Sequence, residues 1–203
     1  MAKKKLFQNV PAARPGRSAF DLSHQVLMTA DMGILYPTLV EEVYPGDYFE
    51  LGTQAIVRMQ PMVAPIMHPI NIFFHYFFVP YRIIDDQWED FISGGEDGEY
   101  AVPPPEWVPS EGKYGIGSLW DYLGFPAGVK PAGVYPLDYH RRAYNKIWND
   151  YYRDENLQDE VVLTNEDLLY RNWLKDYSTS ALPWAQRGTA PSLPISGLTS
   201  AVS

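Results

Sequence analysis

The side chains best suited to chemistry in this chain are four histidines, His24, His68, His75 and His140. Histidines bind a metal ion when several converge, which often shows as an HxH or HExxH spacing. The chain contains neither spacing, and most of a predicted strand separates His68 from His75. The sequence therefore predicts no metal site and favours histidines that are hydrogen-bonded structural residues.

Neighbouring carboxylates could form an acid/base pair, and they occur at Glu41–Glu42, Asp85–Asp86 and Glu89–Asp90. Adjacent side chains on a helix point in different directions, so solvated helix starts are the better interpretation. The chain has no GxSxG motif, no GxxxxGK[ST] phosphate loop and no cysteine. We therefore predict no catalytic residue and no cofactor, and the chain is not expected to be an enzyme.

The composition indicates a chain that buries surface against partners as well as against itself. Of 203 residues, 46% are apolar and 15% aromatic, whereas 20% are charged. The longest apolar run covers ten residues, 70–79, about half of the roughly 20 that a membrane-spanning helix needs. The basic N-terminus is not followed by the apolar stretch of a secretory signal. The sequence thus predicts no membrane segment and synthesis in a cytoplasm.

Charge is distributed unevenly along the chain. Residues 1–20 contain five basic residues and no acid, and the remaining 11 basic and 25 acidic residues give −14. A basic arm on an acidic body is a recurring way to contact nucleic acid. A solvated, disordered tail is the alternative that charge alone leaves open. The candidate DNA contacts are Lys3, Lys4, Lys5, Arg14 and Arg17.

Three stretches after the arm have the alternating pattern of strands: 22–29, 47–60 and 70–79. The third, INIFFHYFFV, is the clearest. Its even positions predict a face that lies in a core, and its mixed odd positions predict a face covered by a second layer. The even positions are Ile70, Ile72, Phe74, Tyr76 and Phe78, and the odd positions are Asn71, Phe73, His75, Phe77 and Val79.

Helices are predicted later in the chain, among long loops rich in proline and glycine. One covers 85–93 and stops at Gly94, and a second covers 118–124 with Ser118 as its N-cap. The best helix lies within 136–156, and a further helical turn is possible at 165–169. The predicted apolar stripe of the helix within 136–156 consists of Leu137, Tyr144, Ile147, Trp148 and Tyr151.

Several aromatic residues are candidates for contacts with neighbouring subunits. The alternative for any one of them is that it fills a local core beneath the long loops. The candidate interface residues are Phe73, His75, Phe77, Trp107, Trp120 and Trp184.

Three long strings carry a resemblance to a known family. They are SAFDLSHQVLMTADMGILYPTLVEEVYPGDYFEL (18–51), IMHPINIFFHYFFVPYRIIDDQWEDFISGG (66–95) and RNWLKDYSTSALPWAQRG (171–188). The sequence resembles the major capsid protein of microviruses, small single-stranded DNA phages, and specifically their gokushovirus branch. The resemblance is weakest across 96–117 and 153–168.

The resemblance implies a mainly β fold, an eight-stranded antiparallel jelly-roll with long loop and helical insertions. By position, it divides the chain into a basic arm (1–20), early strands (21–80), a long insertion (81–188) and a flexible polar tail (189–203). It also implies a shell subunit assembled in a bacterial cytoplasm around single-stranded DNA, which the arm contacts. Other copies, other virion proteins and a host receptor are the implied partners.

Members of that family are much longer than 203 residues, so the resemblance covers only their N-terminal portion and ends near Gly188. The barrel is therefore expected to be incomplete here, with open strand edges. Two other functions remain as alternatives. One is a ligand- or carbohydrate-binding jelly-roll module, and the other is a separate single-stranded nucleic-acid-binding protein, for which the acidic body is unsuited.

Overall fold

The computed structural model describes residues 16–182, which contain short helices joined by long loops. These are α1 (Tyr81–Ile84), α2 (Trp88–Ser93), α3 (Leu119–Tyr122), α4 (Tyr139–Ile147) and a π-helical segment (Trp148–Tyr152) that continues α4. Two isolated antiparallel bridges join Ile34 to Tyr170 and Glu106 to Leu137. No other strand pairing occurs among residues 16–182.

Local signals place two of these helices where the sequence predicted them. In α3, the Ser118 hydroxyl accepts a hydrogen bond from the Asp121 backbone N–H at 3.4 Å. Helix α2 ends at Gly94, whose φ of 87° is the left-handed conformation that favours glycine. The Gly94 N–H donates to the Asp90 carbonyl at 2.8 Å and so closes the last turn. Both helix predictions are confirmed.

The third predicted helix is also present, but its buried face differs from the prediction. Tyr144 and Trp148 are buried as expected, whereas Leu137 and Tyr151 are exposed. The buried side chains of α4 and its π-helical extension include polar residues and, from Arg141 onward, follow helical spacing; they are Tyr139, Arg141, Tyr144, Asn145, Trp148 and Asn149. The predicted helical turn at 165–169 is wrong, since these residues form loop.

The hydrophobic core lies in the described part of residues 81–188, which the resemblance assigns to an insertion and which we call the insertion. Trp107, Leu119, Trp120, Leu123 and Tyr144 are buried together. Partly buried apolar side chains complete it; they are Leu35, Tyr114, Phe125, Leu168 and Leu169. Of these, only Leu35 comes from the part of the chain before α1. The described part of the insertion, residues 81–182, therefore supplies almost all of its own core.

Residues 21–80 are the part of the chain that the resemblance assigns to the barrel wall, and we call them the wall segment. They do not form the strands that the sequence predicted at 22–29, 47–60 and 70–79. Within the described chain, no backbone hydrogen bond to another backbone group involves residues 48–79. A strand needs a partner to satisfy its N–H and C=O groups, and residues 16–182 offer no strand partner to residues 48–79. The predicted β core is thus absent from the described structure, and the wall segment stays largely exposed.

Candidate functional site

A buried network of charged groups holds the insertion together. Arg141 donates from Nε to Oδ1 of Asp138 at 2.6 Å and from Nη2 to Oδ2 at 2.8 Å. Its Nη1 donates to Oε1 of Glu166 at 3.3 Å, and its guanidinium lies 4.8 Å from the ring centre of Trp107. One buried cation thus has two carboxylate partners on different parts of the chain, which offsets the cost of burying it.

Glu166 joins two loops to this network. Its Oε1 accepts from the Trp107 indole N–H at 2.7 Å, and both carboxylate oxygens accept from the Ser110 backbone N–H at 3.2 Å. Burial acts to raise the pKa of Glu166, but the hydrogen bonds from Ser110 and Trp107 and the charge of Arg141 outweigh it. The net shift lowers the pKa of Glu166, so the carboxylate is ionised at neutral pH.

Two buried asparagines fasten the loop 161–165 to α4 and its extension. Asn145 donates from Nδ2 to the carbonyls of Leu163 and Asn165, both at 2.9 Å. Asn149 donates to the Val161 carbonyl at 2.8 Å and accepts from the Val161 N–H at 2.9 Å. A search for apolar periodicity does not select either asparagine. Arg141, Asn145 and Asn149 are nevertheless four residues apart and form a polar stripe on one helix face, which could have indicated a buried polar face.

The histidines do not come together. His24 is hydrogen-bonded to the nearby Leu22 carbonyl, His68 is exposed, and His140 Nε2 lies 3.8 Å from the Glu42 carboxylate. Burial lowers the pKa of His140, while the charge of Glu42 acts in the opposite direction. Across residues 16–182, no group of histidines and carboxylates is arranged to hold a metal ion.

Among the carboxylates considered as acid/base candidates, Asp85 and Glu42 have structural partners. Asp85 accepts from the Tyr139 hydroxyl at 3.1 Å and from the Gln87 backbone N–H at 3.1 Å. Glu89 and Asp90 lie in the first turn of α2, as the solvated-helix-start interpretation predicted. Asp85 and the buried network are thus engaged in holding the insertion together.

The odd face of residues 70–79 contacts the insertion of the same chain. His75 stacks on Tyr152 with ring centres 5.9 Å apart, and its Nδ1 is 2.5 Å from the Tyr152 hydroxyl. Phe77 packs on Tyr151 at 4.9 Å. The guanidinium of Arg171 lies 5.3 Å from the Phe73 ring centre. The second layer predicted over this face is thus at least partly the π-helical segment and residue 171.

The even face has no comparable cover. Exposed fractions are 41% for Phe74, 54% for Tyr76 and 77% for Phe78. The Tyr76 hydroxyl is hydrogen-bonded to Thr53. An open groove of about 820 Å³ is lined by residues 74–77, which belong to both faces, and by residues 150–156 and 171–175. The side that the sequence pattern assigned to a core is therefore still available for burial.

Two of the predicted interface residues instead lie in the insertion core. Trp107 is fully buried and Trp120 is 2% exposed, with ring centres 4.8 Å apart. The Trp120 indole N–H donates to the Pro126 carbonyl at 2.9 Å. A side chain without exposed area cannot contact a neighbouring subunit, so the local-core alternative describes both residues. Trp184 lies outside the described residues.

Comparison with known proteins identifies the family. A model of the capsid protein (F protein) family matches residues 8–202. The chain belongs to this capsid protein family. Capsid protein VP1 of Chlamydia phage 1 is 37% identical over an alignment covering 96% of this chain and 38% of that protein. VP1 of Bdellovibrio phage phiMH2K is 33% identical, covering 93% and 37%, and VP1 of Spiroplasma virus 4 is 28% identical, covering 90% and 37%.

The match confirms the resemblance to microvirus capsid proteins, a structural and not an enzymatic family. It continues to residue 202, beyond Gly188, where the sequence suggested that the resemblance ends. The chain spans a little more than a third of the length of the curated relatives it matches. No helix of the capsid chain within residues 16–182 is long and apolar enough to cross a membrane.

Only one of the candidate DNA contacts of this capsid chain is placed by the structure. Arg17 is exposed. Lys3, Lys4, Lys5 and Arg14 lie outside the described residues. The DNA role of the arm therefore stays a prediction based on charge and on the family.

Proposed function

We propose that this chain forms part of the structural subunit of a small icosahedral phage shell, with the wall segment supplying strands of a jelly-roll. The observation that carries this proposal is the division of residues 70–79 into two apolar faces. The odd face makes ring and cation–π contacts with Tyr151, Tyr152 and Arg171, although Phe73 and Phe77 stay 58% and 36% exposed. The even face makes no such contact within residues 16–182 and is 41–77% exposed. A barrel strand with a layer outside and a core inside needs this arrangement.

Burial of the even face would supply substantial driving force for completing the barrel. Fully burying a side chain such as Ile or Phe contributes about 1.5–3 kcal/mol. Three of the five even residues, Ile70, Ile72 and Phe74, are 43%, 51% and 41% exposed, so roughly half of that contribution is still available from each. The unpaired backbone of 48–79 adds a second demand for partner strands.

The partner strands are proposed to come from the rest of the capsid protein. The relatives are more than twice as long as this chain, since it covers 37–38% of their length. Strands contributed by that remaining length would pair with 22–29, 47–60 and 70–79. Copies of the completed subunit would then associate into the shell, with other virion proteins and a host receptor as further partners.

We also propose that the basic arm contacts the single-stranded genome inside the shell. Its five basic residues without an acid contrast with the −14 of the remaining chain. Lysine and arginine on such an arm neutralise phosphates without reading bases. Assembly would take place in the bacterial cytoplasm where the DNA is available.

The test is to produce residues 1–203 alone and within the full-length capsid protein, and to examine both by electron microscopy and sedimentation. We expect icosahedral particles from the full-length protein and insoluble aggregate from residues 1–203, because the exposed strand segment lacks partners. A soluble monomer of residues 1–203 that unfolds cooperatively would contradict the proposal. Binding of that monomer to a glycan array would favour the alternative, a ligand-binding module.

A further inference from the structure

The wall segment contacts the insertion at residues 73–77, described above, and at a second short stretch, residues 29–36, which we call the latch. Within residues 16–80 almost every side chain is exposed, and residues 34–37 form the longest partly buried run. Leu35 reaches the insertion core, where it packs against the buried cluster around Trp107 and Tyr144. The latch is therefore the contact that ties the wall segment to the insertion core, beside the surface contacts that residues 73–77 make with Tyr151, Tyr152 and Arg171.

Backbone hydrogen bonds fix the latch against residues 169–171. The Leu35 N–H donates to the Leu169 carbonyl at 3.0 Å, and the Arg171 N–H donates to the Gly33 carbonyl at 2.7 Å. Between these two bonds, Ile34 and Tyr170 face each other as an antiparallel bridge. Gly33 has a φ of 87°, which permits the tight turn that brings its carbonyl to Arg171.

Tyrosine hydroxyls from two helices complete the contact. The Tyr144 hydroxyl donates to the Leu35 carbonyl at 2.9 Å and accepts from the Leu169 N–H at 2.8 Å, so it joins both sides of the latch. The Tyr122 hydroxyl of α3 donates to the Thr29 carbonyl at 2.6 Å. Burial raises the pKa of Tyr144 to about 12, so its hydroxyl keeps the proton it donates at neutral pH.

We propose that Tyr144 is a positioning residue, whose hydroxyl holds the insertion at a fixed orientation on the wall, and that shell assembly requires this closed latch. The proposal rests on the proposed shell function and names the contact that sets the shape of the subunit. Shell contacts demand a subunit of one defined shape, because each copy must present the same surface to its neighbours. Tyr144 is suited to this role because its one hydroxyl oxygen is the hydrogen-bond partner of a backbone group on each side of the latch, in addition to the backbone bonds at 33–171 and 35–169.

The absence of cysteine in this chain allows the latch to be locked by a single engineered disulfide. The hydrogen bonds at 33–171 and 35–169 make Ile34 and Tyr170 a non-hydrogen-bonded antiparallel pair. Such pairs have Cα atoms about 4.5 Å apart, within the range of roughly 4.4–6.8 Å that a disulfide spans. The variant Ile34→Cys/Tyr170→Cys should therefore cross-link within one chain under oxidising conditions without moving the backbone.

The experiment measures particle yield by sedimentation for the full-length capsid protein, with any cysteine outside this chain replaced by serine. We expect Tyr144→Phe to lower the yield at least about tenfold, because it leaves the Leu35 carbonyl and the Leu169 N–H without their partner. Tyr151→Phe is the matched control, since Tyr151 lies two turns away and is 69% exposed. Adding the cysteine pair to Tyr144→Phe should restore the yield when oxidised and not when reduced.

Each other outcome refutes the latch. Normal assembly of Tyr144→Phe would show that the hydroxyl has no positioning role, and blocked assembly of the oxidised cysteine pair would show that the latch must open. A cross-linked Tyr144→Phe protein that still fails to assemble would assign the defect to general misfolding. Failure of the cysteine pair to cross-link at all would refute the contact itself. If the unsubstituted protein forms no shell, the proposed function fails as well, whereas the preceding results overturn the latch alone.

Discussion

Replacing Glu166 by glutamine should destabilise the insertion by about 2 kcal/mol at neutral pH. The carboxylate accepts from Trp107 at 2.7 Å, from Ser110 at 3.2 Å and from Arg141 at 3.3 Å. A hydrogen bond to a charged group contributes about 1.5–3 kcal/mol to stability. Glutamine at position 166 keeps one acceptor oxygen, which can still bind the Trp107 indole N–H. Arg141 also keeps both hydrogen bonds to Asp138, so the loss stays below that of an uncompensated buried charge.

The loss of unfolding free energy caused by Glu166→Gln should become smaller as the pH falls. The pKa of Glu166 in the folded chain lies below its ordinary value of 4.5. Its stabilising contribution is therefore complete above about 4.5 and is lost as the pH falls through the folded value. The difference in unfolding free energy between wild type and Glu166→Gln should be constant from about pH 8 to 5 and should narrow in more acidic buffer.

The assay is urea unfolding of a fragment comprising residues 80–182, followed by tryptophan fluorescence. Trp107, Trp120 and Trp148 are all buried and should report the loss of the core. Glu160→Gln is the matched control, because Glu160 is 73% exposed in its pair with Arg153 and should change stability by about 0.5 kcal/mol or less. Equal effects of the two substitutions, or a difference that persists unchanged to about pH 3, would refute the role given to Glu166. A fragment without a cooperative transition would refute the autonomy of the insertion core.

Three further variants test the proposed shell subunit. Phe74→Asp should abolish particle formation, as seen by electron microscopy, because it places a charge on the face that is to be buried in the barrel. His75→Ala should reduce particle yield far less, since it removes ring contacts with Tyr152, Phe73 and Phe77 and one hydrogen bond but buries no charge. Normal particle yields from both variants would show that the placement of residues 70–79 in the barrel is wrong. Replacing Lys3, Lys4 and Lys5 with glutamine should lower the DNA content of particles and the salt dependence of its retention, and unchanged packaging would exclude the arm.

The helices could be predicted because the signals that define them are local. Ser118 caps α3 and Gly94 ends α2 through contacts within a few residues, which the sequence shows directly. The polar residues of α4 could not be assigned in the same way. Asn145 and Asn149 are buried because their amides satisfy the loop 161–165, and apolar periodicity does not register a polar residue that finds such a partner.

Burial of the aromatic residues was only partly predictable. Trp107 and Trp120 were candidates for an interface and also for a local core, and residue type and spacing alone do not distinguish the two. Their positions depend on contacts between distant parts of the chain, such as the bond from Trp107 to Glu166, 59 residues away. The family, by contrast, was recognisable from long uncommon strings, which need no knowledge of three-dimensional contacts.

The strands predicted before Pro80 are absent from the described structure, whereas helices predicted after Pro80 are present. Before Pro80, the alternating pattern demands partner strands, and the described residues leave both the backbone and the even face of 70–79 unsatisfied. After Pro80, the buried Arg141, Asp138 and Glu166 satisfy one another within the insertion. The buried charges of the insertion therefore need no partner strand. Tyr151 and Arg171 of the insertion also contact Phe77 and Phe73 on the odd face of 70–79. Under the proposed function, the complete subunit then has to cover the even face and the parts of Phe73 and Phe77 that the insertion leaves exposed.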